Sequence, residues 1–191
     1  GGYALTVNST GATTFGAAVG GLTPLTSVTT NAGGTLVMNG GAVTTTGAQS
    51  YGEAITLGHD TTLTATGVTF GGAVSGAYAL TVDGTAAIQG GSVNTSTSAQ
   101  HYIGAVTLTG ASTLTASGVT FDSAVTGNNS LSVNGTTTLN GGSITTTGAQ
   151  SYSGAMTLGH DTTLAASSGD VSLGSTVNGA YALAVNSTGT T

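Results

Sequence analysis

The segment GAQSYGEAITLGHDTTL at 47–63 returns almost unchanged as GAQSYSGAMTLGHDTTL at 148–164, and a diverged copy, SAQHYIGAVTLTGASTL, stands at 98–114. A second motif, GAYALTV at 76–82, returns as GAYALAV at 179–185, with NNSLSV at 128–133 between them. Tyr51, Tyr102 and Tyr152 therefore correspond at steps of 51 and 50, and Leu80, Leu131 and Leu183 at steps of 51 and 52. Such a chain stacks copies of one small unit, because a single copy cannot bury its own apolar face.

The unit divides again. Val82, Ile88 and Val93 are spaced 6 then 5, and so are Leu108, Leu114 and Val119. On that spacing coils begin near Leu5, Val28, Ile55, Leu80, Val106, Leu131, Met156 and Leu183, giving about seven coils of roughly 25 residues. The first, about 5–27, is irregular, since Leu22-Thr-Pro24-Leu25 departs from the pattern. Within the coil at 80–105 short strand-like pieces fall at 80–82, 87–89, 92–94 and near Tyr102. Glycine pairs such as Gly40-Gly41, Gly90-Gly91 and Gly141-Gly142 lie between such pieces, where tight corners need φ > 0. Strands this short make no stable hairpin alone, whereas stacking each on its counterpart one coil away does.

The expected fold is all-β, a parallel β-solenoid (β-helix) running through residues 1–191 as one continuous segment on a 51-residue double-coil repeat. Helix is excluded by 41 threonines and 34 glycines and by the lack of any apolar 3.6-residue pattern. The residue after each coil's first apolar position reads Thr6, Thr29, Thr56, Thr81, Thr107, Ser132, Thr157 and Ala184, a ladder on an outer face. A charge repeated at such a position in every coil would set like charges about 4.8 Å apart.

The chain has six acids, three histidines and no lysine, arginine or cysteine. Without a basic side chain nothing neutralises phosphate, so nucleic acid is excluded as a partner, as are P-loop chemistry and a polybasic membrane patch. Without cysteine there is no disulfide, thiolate nucleophile or Cys-ligated zinc. No apolar run reaches the length of a membrane helix, so membrane insertion is not expected.

Each motif that could carry chemistry has a plainer reading beside it. The acids are Glu53, Asp60, Asp83, Asp122, Asp161 and Asp170. Asp60 and Asp161 fall in one repeat column but four coils apart, too far to act as a glycosidase pair. His59-Asp60 and His160-Asp161 read as a duplicated turn rather than a metal site or dyad, and His101 stands at another offset. The Gly-Gly pairs are followed by Ala42, Ser92 or Ser143, not by the acid of a calcium-binding roll. Tyr51, Tyr102 and Tyr152 read either as core rings with a hydroxyl at a corner or as a sugar-binding strip two coils apart. Asn8, Asn94, Asn128, Asn134 and Asn186 begin Asn-x-Ser/Thr sequons that this composition produces by chance. Thr62-Leu-Thr64 and Thr113-Leu-Thr115 fit the rows of an ice-binding face, and Thr138-Leu-Asn140 and Thr163-Leu-Ala165 fit in part. No catalytic, cofactor-binding or metal-binding residue and no cofactor is expected.

Leu80-Thr-Val-Asp-Gly84, Leu131-Ser-Val-Asn-Gly135, Gly91-Ser-Val-Asn94 and Gly142-Ser-Ile-Thr-Thr146 resemble the filamentous-haemagglutinin-like and autotransporter-passenger repeats of giant bacterial surface proteins. That resemblance implies a right-handed β-helix, export to the bacterial surface, and a structural or adhesive role, and it brings no catalytic residue. The functional expectation is a rod or stalk of an extracellular adhesin or filament. Its partners would be neighbouring coils of the same or identical chains, stacked end to end or within a longer chain, and cell-surface glycans or other cells. The rivals are a carbohydrate-binding or carbohydrate-active β-helix and an ice-binding threonine ladder.

Overall fold

The computed structural model describes residues 2–190. The regular elements among them are all β-strands. All the strand pairings are parallel. The chain is a parallel β-solenoid, as its repeats predict.

Three ladders run along its length. On the first face Leu5, Val28, Gln49, Val68, Ala86, Val106, Val125, Ile144, Leu164 and Val185 stack one above the next. On the second, Thr13, Leu36, Ile55, Val74, Val93, Leu114, Val133, Tyr152 and Leu173 do so. On the third the column is Val19, Val43, Leu63, Val82, Tyr102, Phe121, Leu139 and Leu158. The chain visits the faces in that order, three sides to a coil.

This geometry corrects the coil. A step along the first column takes 18 to 23 residues, so there are ten strands on that face and ten coils, not seven of 25. Nine spacings give a rod about 43 Å long. From Tyr51 on the first face to Tyr102 on the third the chain lays down eight sides, two and two-thirds coils. The 51-residue repeat is therefore eight strands, not two coils. Each copy is turned two-thirds of the way round the axis relative to the last.

The sides alternate as half-buried strands should. In Leu80–Ile88, Leu80, Val82, Ala86 and Ile88 are buried while Asp83 and Thr85 are exposed. Four longer strands, Thr61–Phe70, Leu80–Ile88, Ser112–Phe121 and Leu131–Leu139, continue round a corner and pair on two faces. Between Leu80–Ile88 and Thr61–Phe70, and again between Leu131–Leu139 and Ser112–Phe121, the register slips at the bend. Gly84 and Gly135 stand at these bends with φ of 139° and 143°, and a Cβ on either would lie 2.1 Å from the carbonyl oxygen of Ala65 or Ala116. Only glycine fits there.

Candidate functional site

The polar groups that the fold brings together lie inside it. Gln49, Gln100 and Gln150 are 0–1% exposed, two residues before Tyr51, Tyr102 and Tyr152, which are also buried. Residues two apart on a strand share a face, so an inward Tyr carries its Gln inward. The Tyr hydroxyl donates to the Gln Oε1 at 2.9, 3.1 and 2.9 Å in the three copies. Each Gln Nε2 then donates across the corner. Gln49 reaches the carbonyls of Val43 and Thr64, Gln100 those of Val93 and Thr115, and Gln150 those of Ile144 and Ala165, at 2.8–3.2 Å. A threonine hydroxyl, of Thr45, Thr95 or Thr146, lies against the same Nε2 at 3.1–3.4 Å.

Each cluster ties the end of one side to the next side, and ties two successive coils together. Because the repeat turns two-thirds of a circle per copy, the three clusters occupy the three different corners. Burial pushes all three phenols above the ordinary tyrosine range, so they remain neutral donors. Tyr51 and Tyr102 also stack on Phe70 and Phe121 of the next coil, at centroid distances of 6.4 and 5.5 Å. The tyrosines form no strip: they face the core on three sides. The glutamine escaped the sequence reading because it looks like a surface residue. Its fixed two-residue offset from Tyr was the available signal.

Three of the six acids sit at corners and clip coils together through backbone amides. Asp60 Oδ1 accepts from the Ala79 N–H at 2.9 Å, Asp161 Oδ1 from Ala182 at 2.9 Å and Asp170 Oδ1 from Thr190 at 2.6 Å. Asp60 lies at the corner between the second and third faces and Asp161 between the third and first, so they do not share a column as the 25-residue coil required. His59 and His160 stack on Tyr78 and Tyr181 of the following coil, with ring planes 15° and 4° apart. The Gly-His-Asp turn has thus been copied together with the Ala-Tyr-Ala segment it docks on.

Asp122 is the one acid with a polar side-chain cluster. Its Oδ2 is 2.6 Å from His101 Nε2 and its Oδ1 accepts from Asn140 Nδ2 at 2.7 Å. Partial desolvation pulls its carboxyl upward, but the hydrogen bonds from Asn140 and His101 and the charge of His101 outweigh it and hold the group below the ordinary carboxylate range. Asp83 is exposed. Among the described residues no three His, Asp or Glu side chains gather as a metal cluster would require.

The outer threonines do not form one flat array. Thr62 and Thr138 lie on the third face, Thr113 and Thr115 on the second, and Thr163 on the first. Interrupted columns do persist: Thr6, Thr29, Ser50, Thr69, Ala87, Thr107, Thr126, Thr145, Ala165 and Asn186 on the first face, and Thr62, Thr81, His101, Thr120, Thr138 and Thr157 on the third. The sequon asparagines are all exposed. Comparison with protein-family models, with curated proteins and with solved structures finds no match. The chain's own geometry is therefore what a functional reading has to rest on.

Proposed function

We propose that this chain is a structural segment, a rod or stalk repeat, of a bacterial cell-surface adhesin or extracellular filament of the filamentous-haemagglutinin-like or autotransporter-passenger kind. One observation carries the reading. The repeat advances by two and two-thirds coils, so duplication spreads every motif over three faces. Three copies, eight coils or about 38 Å, pass before a motif returns to the same side. Duplication of this unit adds length and leaves no face with accumulated chemistry. The repeated interior is spent on holding coils together: three ladders, an apolar core and a Gln–Tyr clip at each of the three corners. Its partners on this reading are axial neighbours of the same fold.

The test has two parts. Antibodies against residues 2–190 should label intact source cells without permeabilisation, and inserting three further repeats should lengthen the particle by about 38 Å in electron micrographs. Labelling only after permeabilisation would overturn the surface role. The two exposed His–Tyr stacks favour the carbohydrate-binding alternative over an enzyme. Saturable binding on a glycan array, lost in Y78A and Y181A, would replace the rod reading with that one.

A further inference from the structure

Glu53 is out of place in this molecule. It stands between Tyr51 and Ile55 at the corner where the chain passes from the first face to the second, and it is 3% exposed. The other copies of this turn, Tyr102-Ile-Gly104-Ala and Tyr152-Ser-Gly154-Ala, have glycine there. In them a Cβ would lie 2.3 Å from the carbonyl oxygen of Gly84 or Gly135 in the preceding coil, so nothing larger fits. Glu53 fits because the preceding coil makes a longer turn, Asn31-Ala-Gly-Gly34, between its strands Ser27–Thr30 and Thr35–Met38.

Both carboxylate oxygens of Glu53 are buried without a hydrogen-bond partner, and so is Thr30 Oγ1, at the residue entering that longer turn. These are three of the four such atoms among the described residues. The carboxylate points at further oxygens. The position a Cβ on Gly34 would take lies 2.7 Å from Glu53 Oε2, 2.4 Å from the Gly11 carbonyl oxygen and 3.0 Å from that of Ser9. Oxygens from the first and third coils thus surround one point beside Gly34 of the second. That turn is braced by hydrogen bonds from Ser9 N to Asn31 Oδ1 and from Gly11 N to Ser9 Oγ. An ionised carboxylate removed from water among carbonyl oxygens needs a positive partner, and the chain has no lysine or arginine to supply one.

We propose that this corner binds a hard divalent cation, with calcium the best match to an all-oxygen donor set, and that Glu53 is its anionic ligand beside the carbonyls of Ser9 and Gly11. The ion ties the turns of the first three coils, where the longer loops lie, and the molecule's net charge of −6 favours its capture. The proposal is independent of whether the rod serves at a cell surface.

The test is thermal unfolding of the whole chain in EDTA and in about 1 mM calcium, for the parent, E53Q and E53G. E53Q keeps the shape, and E53G restores the residue of the other two copies. Calcium should raise the Tm of the parent by several degrees and leave both variants unmoved, and terbium should give luminescence sensitised by Tyr51 in the parent alone. No shift in the parent, or an equal shift in E53Q, which would reflect screening of surface acids, overturns the site.

Discussion

The Gln–Tyr clip can be weighed by a double-mutant cycle at Gln100 and Tyr102, the copy nearest mid-chain and thus furthest from fraying at the ends. Tyr102→Phe keeps the ring and its contact with Phe121 but deletes the 3.1 Å hydrogen bond to Gln100 Oε1. A buried acceptor that loses its donor costs about 1–2 kcal/mol. Gln100→Leu deletes more. It strips the Nε2 donor from the carbonyls of Val93 at 2.9 Å and Thr115 at 3.0 Å and leaves the Tyr102 hydroxyl without its acceptor. The Thr115 carbonyl retains the Thr95 N–H at 2.9 Å, so the loss there is partial. The sum is about 2–4 kcal/mol.

In the double variant the phenol and the amide are both gone, so neither orphans the other. The cost should fall short of the sum of the single variants by about 1 kcal/mol. The assay is urea unfolding followed by far-ultraviolet circular dichroism, comparing midpoints at constant m-value. Tyr78→Phe, on an exposed ring, serves as the control and should change nothing measurable. A neutral Tyr102→Phe, or strict additivity of the two substitutions, would refute the claim that the pair acts as one buried unit.

Gly135→Ala should cost at least about 2 kcal/mol in the same assay, because φ is 143° and the new methyl meets the Ala116 carbonyl at 2.1 Å. Gly33→Ala, at φ 106° with nothing within 4 Å, should cost only the backbone strain of about 1–2 kcal/mol. Asn140→Ala should move the Asp122 carboxyl up toward its ordinary range in a carbon-13 titration, and an unmoved titration would deny the hydrogen bond its role. Since Asp122 titrates below its unfolded range, its small contribution is present above about pH 4 and fades as pH falls further. The three buried tyrosines act at the other end of the scale. The unfolded chain releases their protons above about pH 10 and the folded chain holds them, so stability should fall there by about 1.4 kcal/mol per pH unit for each tyrosine. Replacing any one by Phe should make that alkaline limb shallower by one proton.

Much of the fold is legible in the residues, and the error has a physical source. The inward set, from Leu80, Val82 and Ile88 to Leu108, Leu114 and Val119, was readable because side-chain period and burial coincide on a strand. The spacing of 6 then 5 between such residues measures one side of the coil, and no residue type marks which side is which. The sequence presents the 51-residue repeat as a whole number of coils, whereas eight sides on a three-sided coil is not a whole number. In the sequence Tyr51, Tyr102 and Tyr152 fit either core residues or a strip, and only pairing separates them onto three faces. In the sequence Glu53 is one of six scattered acids, because a longer turn in the preceding coil decides whether it is buried.

The distribution of charge follows from the same geometry. A side position has neighbours in its own column about 4.8 Å above and below, so an acid there would be repeated toward another acid or set against a run of hydroxyls with nothing to neutralise it. A corner is different. Its residues splay apart, and an unpaired backbone N–H from the next coil is within reach. Asp60, Asp161 and Asp170 are placed where an oxygen can accept from that N–H, and Asp122 where Asn140 and His101 close over it. The sides of the rod carry mainly threonine, serine and alanine, with Asp83 the acid within a strand, while four of the six acids serve as clips between coils. The corner groups left over by the ladders are of both kinds: amides of the next coil, which the aspartates accept from, and carbonyls, which serine and threonine hydroxyls donate to, as Ser98 does to Ala77 and Ser123 to Ile103, so short acidic and neutral side chains satisfy them without a lysine or arginine.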